Sequence, residues 1–185
     1  MMALTMAMFV ACAARADAPQ DQSIDVRVRI DGDVVVVDVD CFVRATREES
    51  WAVMTDFDNA TKFITKLHES AVVSRTLDVL IVSQKGTMGF GPFSVPLDLV
   101  AEIRLTPVEK IQAHMIGGNM KKYEAVTTLF RDPEGTRVAY HVESIPDVWI
   151  PPLIGRAMVE YETRARFRQL LDEILRRKAS PKTGK

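Results

Sequence analysis

The sequence predicts an α+β domain: one antiparallel sheet, built from two strands and then six, with a long C-terminal helix across its face. Three observations carry this. Apolar and polar residues alternate with period two on either side of Asp31-Gly32. Strand signals then run from about 69 to 145, broken only by short turns. A helical pattern starts at Pro151-Pro152 and continues to about Lys178. Strands joined by short turns pair antiparallel, and a sheet with one long helix must bury one face of each. The chain has 185 residues, which suits one domain with its own core.

The elements follow in order. Ile24, Val26, Val28 and Ile30 alternate with Asp25, Arg27, Arg29 and Asp31, so the first strand has one wet face. Asp31-Gly32 is a hairpin signal. The second strand, Val34 to Val43, places Val35, Val37, Val39, Cys41 and Val43 on one face. Thr46-Arg47-Glu48-Glu49 has the spacing of a capping box and opens a helical stretch with Trp51, Val53 and Met54. Asp58 and Asn59 interrupt it before Phe63, Ile64 and Leu67, so two short helices are expected between about 47 and 67. The six further strands are expected near 69–76, 78–88, 93–105, 109–117, 122–131 and 136–145. Pro96 marks an edge or a bulge in the third of these. On the last helix, Arg156–Glu160, Glu160–Arg164, Glu162–Arg166 and Asp172–Arg176 are spaced for pairing one turn apart.

Residues 1–18 read as a secretory signal peptide: apolar and almost uncharged through Ala14, then small and polar. They are too short to span a membrane as a helix. The expected product is a periplasmic or secreted domain over 19–178 with a disordered basic tail at 179–185. The alternative is a lipoprotein anchored through Cys12 in "FVAC". Processing at Ala16 or Ala18 leaves Cys41 as the sole cysteine, which excludes an intrachain disulfide. The formal net charge of −1 gives no electrostatic footprint for nucleic acid.

The order of elements, the "WAVMTDFDNATKF" segment and the proline-started C-terminal helix resemble the START-like (SRPBCC) superfamily with its helix-grip fold. The resemblance covers about 24–177 and is nearest the polyketide cyclase/dehydrase and coenzyme-Q-binding START group. It implies a curved sheet wrapped around the helix and a cavity between them for a hydrophobic ligand.

Ile154, Ala157, Met158, Tyr161 and Ala165 form a narrow arc at the head of the helix, whereas Phe167, Leu170, Leu171, Ile174 and Leu175 centre on a different side. By itself this stripe reads as core. With the resemblance, its first half is expected to roof the ligand cavity, through Ile154, Ala157, Met158 and Tyr161. "GTMGFGPF" (86–93) sets Met88, Phe90 and Phe93 among glycines, and "MIGGNMKKY" (115–123) offers Met115, Met120 and Tyr123. Adaptable methionines suit a site for flexible lipids. Met54 and Trp149 complete the expected ligand-binding set, and Trp149 is also a candidate for contact with a membrane surface.

Chemistry is harder to place. His68, His114 and His141 have no second ligand at metal spacing, and no nucleophile elbow, phosphate loop or dinucleotide fingerprint occurs. Neither a metal nor a cofactor is expected. His114 with Glu102, Glu124 or Tyr123 is the best catalytic grouping available, and it does not add up to a mechanism. Two readings stay open: an exported carrier of a lipid, quinone or sterol, which is favoured, and a cyclase or dehydratase using the same cavity.

Overall fold

The computed structural model describes residues 22–89, 94–147 and 155–180. The chain runs β1 (Gln22–Asp31), β2 (Val34–Val43), α1 (Arg47–Met54), a 3₁₀ helix (Phe57–Lys62), β3 (Leu67–Arg75), β4 (Val79–Met88), β5 (Val95–Thr106), β6 (Lys110–Gly118), β7 (Met120–Asp132), β8 (Gly135–Pro146) and α2 (Gly155–Ala179). Among the described residues, the eight strands form one sheet in the order β1-β2-β8-β7-β6-β5-β4-β3. Every pairing is antiparallel. A curved antiparallel sheet with a C-terminal helix is the layout of a helix-grip fold. The second of the two expected short helices is a 3₁₀ helix rather than an α-helix, and its C-cap N–H bonds to Ala60. Residues 1–21, where a leader was expected, and 181–185 lie outside the described residues, and α2 itself reaches Ala179.

Local chemistry accounts for the boundaries. Gly32, at φ +56°, makes the β1–β2 turn. At the start of α1, Thr46 Oγ1 accepts from the Glu49 N–H at 3.1 Å and Glu49 Oε2 accepts from the Thr46 N–H at 2.9 Å. Two orphan donors of the first turn are thereby satisfied. Pro96 stands at the start of β5, ahead of the β6 ladder, which begins at Leu99↔Gly118. Beyond that point the Asn119 side chain takes over, accepting from the Asp98 N–H and donating to the Pro96 carbonyl, both at 2.8 Å. The register then shifts between Val100 and Ala101.

The core divides in two. Valines of β1 and β2, with Ala125, Leu129, Val138 and Val142 of β7 and β8, pack against Val159, Phe167, Leu171 and Ile174 of α2. Leu80, Val82, Leu99, Ala101, Ile103 and Ile111 of β4 to β6 form a second cluster, met by Trp51, Met54 and Phe57. Thus α2 packs on one half of the sheet and the α1 segment leans over the other. Cys41 is fully buried in the first cluster, and burial, with Asp40 beside it, pushes its thiol up to about 12.

One residue is held against its preference. Val108, in the β5–β6 turn, has φ +62°, a left-handed conformation that crowds a β-branched side chain. Val108→Asn should therefore stabilise the fold by about 1 kcal/mol, a Tm rise of about 3 °C in a thermal melt. A lower Tm would mean that the valine side chain contributes more by packing than it costs in strain.

Candidate functional site: a cavity between sheet and helix

Between the two core clusters lies a cavity of about 270 Å³. Its floor follows from the strand register. One row across the inner face reads Val37–Val142–Ala125–Ala113–Ile103–Leu80. Large residues stand at both ends of this row and alanines in the middle. Ala101, opposite Val82 in the next row, extends the shallow patch. Alanine at three central positions leaves volume that a Leu or Ile would fill, and close-packed interiors rarely leave such volume by chance. Val53, Met54, Phe57, Ala60, Phe63 and Ile64 wall it from the α1 side.

The helix closes the top with Val159, Thr163, Arg166, Phe167 and Leu170, a face with i, i+4, i+7, i+8 and i+11 spacing. This corrects the expected roof. Ala157 and Tyr161 are exposed, Tyr161 by 63%, and Met158 is half-buried but off the cavity wall. The buried stripe of α2 does not swing round. It runs straight from Val159 to Ile174, and the polar residues Thr163 and Arg166 within it hide it from a hydrophobic wheel. Of the other expected residues, Met54, Met88, Met120 and Tyr123 line the cavity. Met115 packs beside them on the second core cluster, in register with Ala101, without reaching the wall. Phe90, Phe93, Trp149 and Ile154 lie outside the described residues.

Polar groups on this wall are few. The Tyr123 and Tyr140 hydroxyls are 3.2 Å apart and hydrogen-bonded. Burial first, then the neighbouring Tyr123 hydroxyl, raises the Tyr140 phenol well above its ordinary value, while Arg166 pulls the other way. Tyr140 also tilts against Phe167, ring centres 5.2 Å apart. Gln84, Thr127 and Ser144 complete the neutral polar lining. Burial would raise the Asp56 carboxyl, yet hydrogen bonds from Asn59 at 2.7 Å and Arg177 at 2.8 Å outweigh it and leave it lowered. Of this polar set the sequence offered Tyr123, but Tyr140 and Arg166 carry no motif and meet it only through the fold.

His114 bonds to Glu124 on the outer face, where Glu102, His114, Glu124 and Glu143 stand in one row. Tyr123 faces the cavity instead, so the expected catalytic grouping is split by the sheet. Among the described residues no set of three His, Cys, Asp or Glu side chains is placed to hold a metal ion.

A sheet gripping one helix around an apolar cavity defines a START-like domain. A model of the family described as polyketide cyclase / dehydrase and lipid transport matches residues 43–171, and the chain belongs to that family. No curated protein matches the chain. Solved structures share the fold at low identity. The Zhui aromatase/cyclase from Streptomyces sp. R1128 superposes with a TM-score of 0.65 at 15% identity, covering 84% of this chain and 99% of that one. A protein of Thermus thermophilus gives 0.64 at 14% identity, covering 80% and 99%. A STAR-related lipid transfer protein from Xanthomonas axonopodis gives 0.61 at 12% identity, covering 84% and 99%.

Polar clamps hold α2 over the cavity from several sides. Arg164 Nη1 donates to the Ile24 carbonyl of β1 at 2.5 Å. Gln169 exchanges two hydrogen bonds with Thr65, and Lys66 pairs with Glu162 at 2.5 Å while also donating to the Gly89 carbonyl. At the far end, buried Glu173 accepts from Arg176 and Arg177, and Arg177 continues to Asp56 while lying 5.5 Å over the Phe63 ring. The Arg176 hydrogen bond, then that of Arg177, brings the Glu173 carboxyl down to about 2 against the opposing cost of burial. A carboxyl whose folded pKa is depressed stabilises the fold above its unfolded value and loses that contribution as pH falls. Between the ordinary 4.5 and about 2, Glu173 should therefore cost the protein up to about 3 kcal/mol. Thermal melts should show Tm falling across that window, and Glu173→Gln should flatten the slope while lowering Tm at neutral pH. An unchanged slope in the variant would remove Glu173 from the clamp.

Proposed function

We propose that this chain is an exported carrier that holds a small lipophilic molecule, of the lipid, quinone or sterol class, in the cavity between sheet and C-terminal helix. One observation carries the reading: the apolar cavity over the alanine floor. It is nearly twice the volume of an engineered apolar cavity of about 150 Å³ that stays dry and takes up benzene. Mostly apolar walls with a few convergent polar groups are what a site for such a molecule needs. The printed scope of the family includes lipid transport, in keeping with this. Export rests on the leader-like composition of 1–18, with a lipidated Cys12 as the alternative form.

The same family description includes cyclases and dehydrases, and the second reading is such an enzyme using the same cavity. It draws on the Tyr123–Tyr140 pair, which could hold a proton beside a bound polyketide. The carrier is favoured because a phenol raised by burial is a poor acid at neutral pH. The lining carboxylate of Asp56 is already engaged by Arg177.

Native mass spectrometry of the protein purified from the periplasm of its own cells, followed by solvent extraction, tests this. The carrier reading expects close to one equivalent of a lipophile. Ala113→Phe, which puts a benzyl group on the cavity floor, should lower that occupancy at least about tenfold while changing stability by no more than about 2 kcal/mol. A folded variant that loads as well as the parent would defeat the assignment of the cavity.

A further inference from the structure

Arg166 is a charged side chain on the cavity wall with no hydrogen bond or ion pair among the described residues. The carboxylate one turn before it, Glu162, is held by Lys66 at 2.5 Å. Gln169, one turn after it, is committed to Thr65. Asp56, the charged side chain on the facing wall, is engaged by Asn59 and Arg177. A guanidinium stays protonated at any working pH, so among the described residues the cavity wall carries one positive charge without a paired counter-charge. Enclosing such a charge beside an apolar ligand is costly unless the ligand brings its own counter-charge.

The phenols add a donor. Two hydroxyls bring two protons, and the Tyr123–Tyr140 bond uses one of them, leaving one to give to a guest. Tyr140 and Arg166 both line the cavity, and the Tyr140 ring packs 5.2 Å from that of Phe167, the residue after Arg166, so phenol and guanidinium enter the cavity from neighbouring points. Resting on the carrier reading, we propose that the cargo is an amphiphile with an anionic oxygen head group, a carboxylate or a phosphate monoester. Arg166 receives this group, a hydroxyl of the tyrosine pair supports it, and the alkyl part lies over Ala101, Ala113 and Ala125. A planar guanidinium fork matches both oxyanions. A neutral quinone or sterol would fill the same volume and leave the charge unanswered.

The test uses dodecanoic acid, 1-dodecanol and dodecyl phosphate, each below its aggregation concentration, titrated into the purified protein and read by native mass spectrometry and intrinsic tryptophan fluorescence. Dodecanoic acid or dodecyl phosphate should bind at least about tenfold more tightly than dodecanol, and whichever wins names the head group. Arg166→Gln should erase that preference by weakening the acid and the phosphate, while dodecanol binds at least as tightly as it does to the wild type. In the wild type, dodecanoic acid should weaken as pH falls through its own carboxyl titration, with dodecanol unaffected, so the assignment stays testable even if the variant does not fold. Equal binding of acid, phosphate and alcohol would overturn the head-group assignment and leave the cavity reading intact. A preference that survives in Arg166→Gln, or acid binding indifferent to pH, would overturn it too. Failure of all three ligands to bind would overturn both.

Discussion

The rest of the structure depends on the absence of side chain at the centre of the sheet's inner face. Ala101, Ala113 and Ala125 stand where strands of a filled core would carry valine or isoleucine. A helix packing at ordinary distance over those positions would touch nothing. Instead α2 seats its large residues, Phe167, Leu171 and Ile174, on the valines of β1 and β2 and on their neighbours in β7 and β8. The other half of the sheet is met by Trp51, Met54 and Phe57 from the α1 segment. The space between these two contacts is the cavity, so the void follows from where the small residues fall rather than from loose packing.

Keeping such a void open requires anchors beyond hydrophobic contact, because collapse would recover dispersion energy lost along its walls. The clamps on α2 meet this need at spaced points: Arg164 to β1, Lys66 and Gln169 to the turn before β3, and Glu173 with Arg177 to Asp56. Each fixes the helix to a different element, and several lie one turn from a cavity-lining residue. Exposed ion pairs contribute little singly, but the Glu173 carboxylate is buried and doubly paired, which makes its share larger. Position of the helix and volume of the cavity are thus set by the same contacts.

Much of the fold was legible in the sequence because its signals are local. The alternation of β1 and β2, the Thr46–Glu49 capping box and the short turns between the six later strands each act within a few residues. The cavity was legible only in part. Met88, Met120 and Tyr123 were expected there from loop composition and adaptable side chains, and Met54, in the first helical stretch, belonged to the same expected set. The helix face was misread, since a buried face that borders a ligand space keeps polar residues. Thr163 and Arg166 broke the apolar stripe, and the exposed Ala157 and Tyr161 counterfeited one. The alanine floor was missed for a different reason. Three single alanines on three strands acquire meaning only when the register sets them side by side.

The most direct measurement is methyl-resolved NMR of the protein during titration with an alkyl-chain ligand such as dodecanoic acid. The account predicts saturable shifts at the methyls of Ala101, Ala113, Ala125 and Val159, with the outward-facing Val36 and Val73 unmoved. Shifts confined to outer-face or exposed methyls, or none at a ligand-saturated sample, would contradict it.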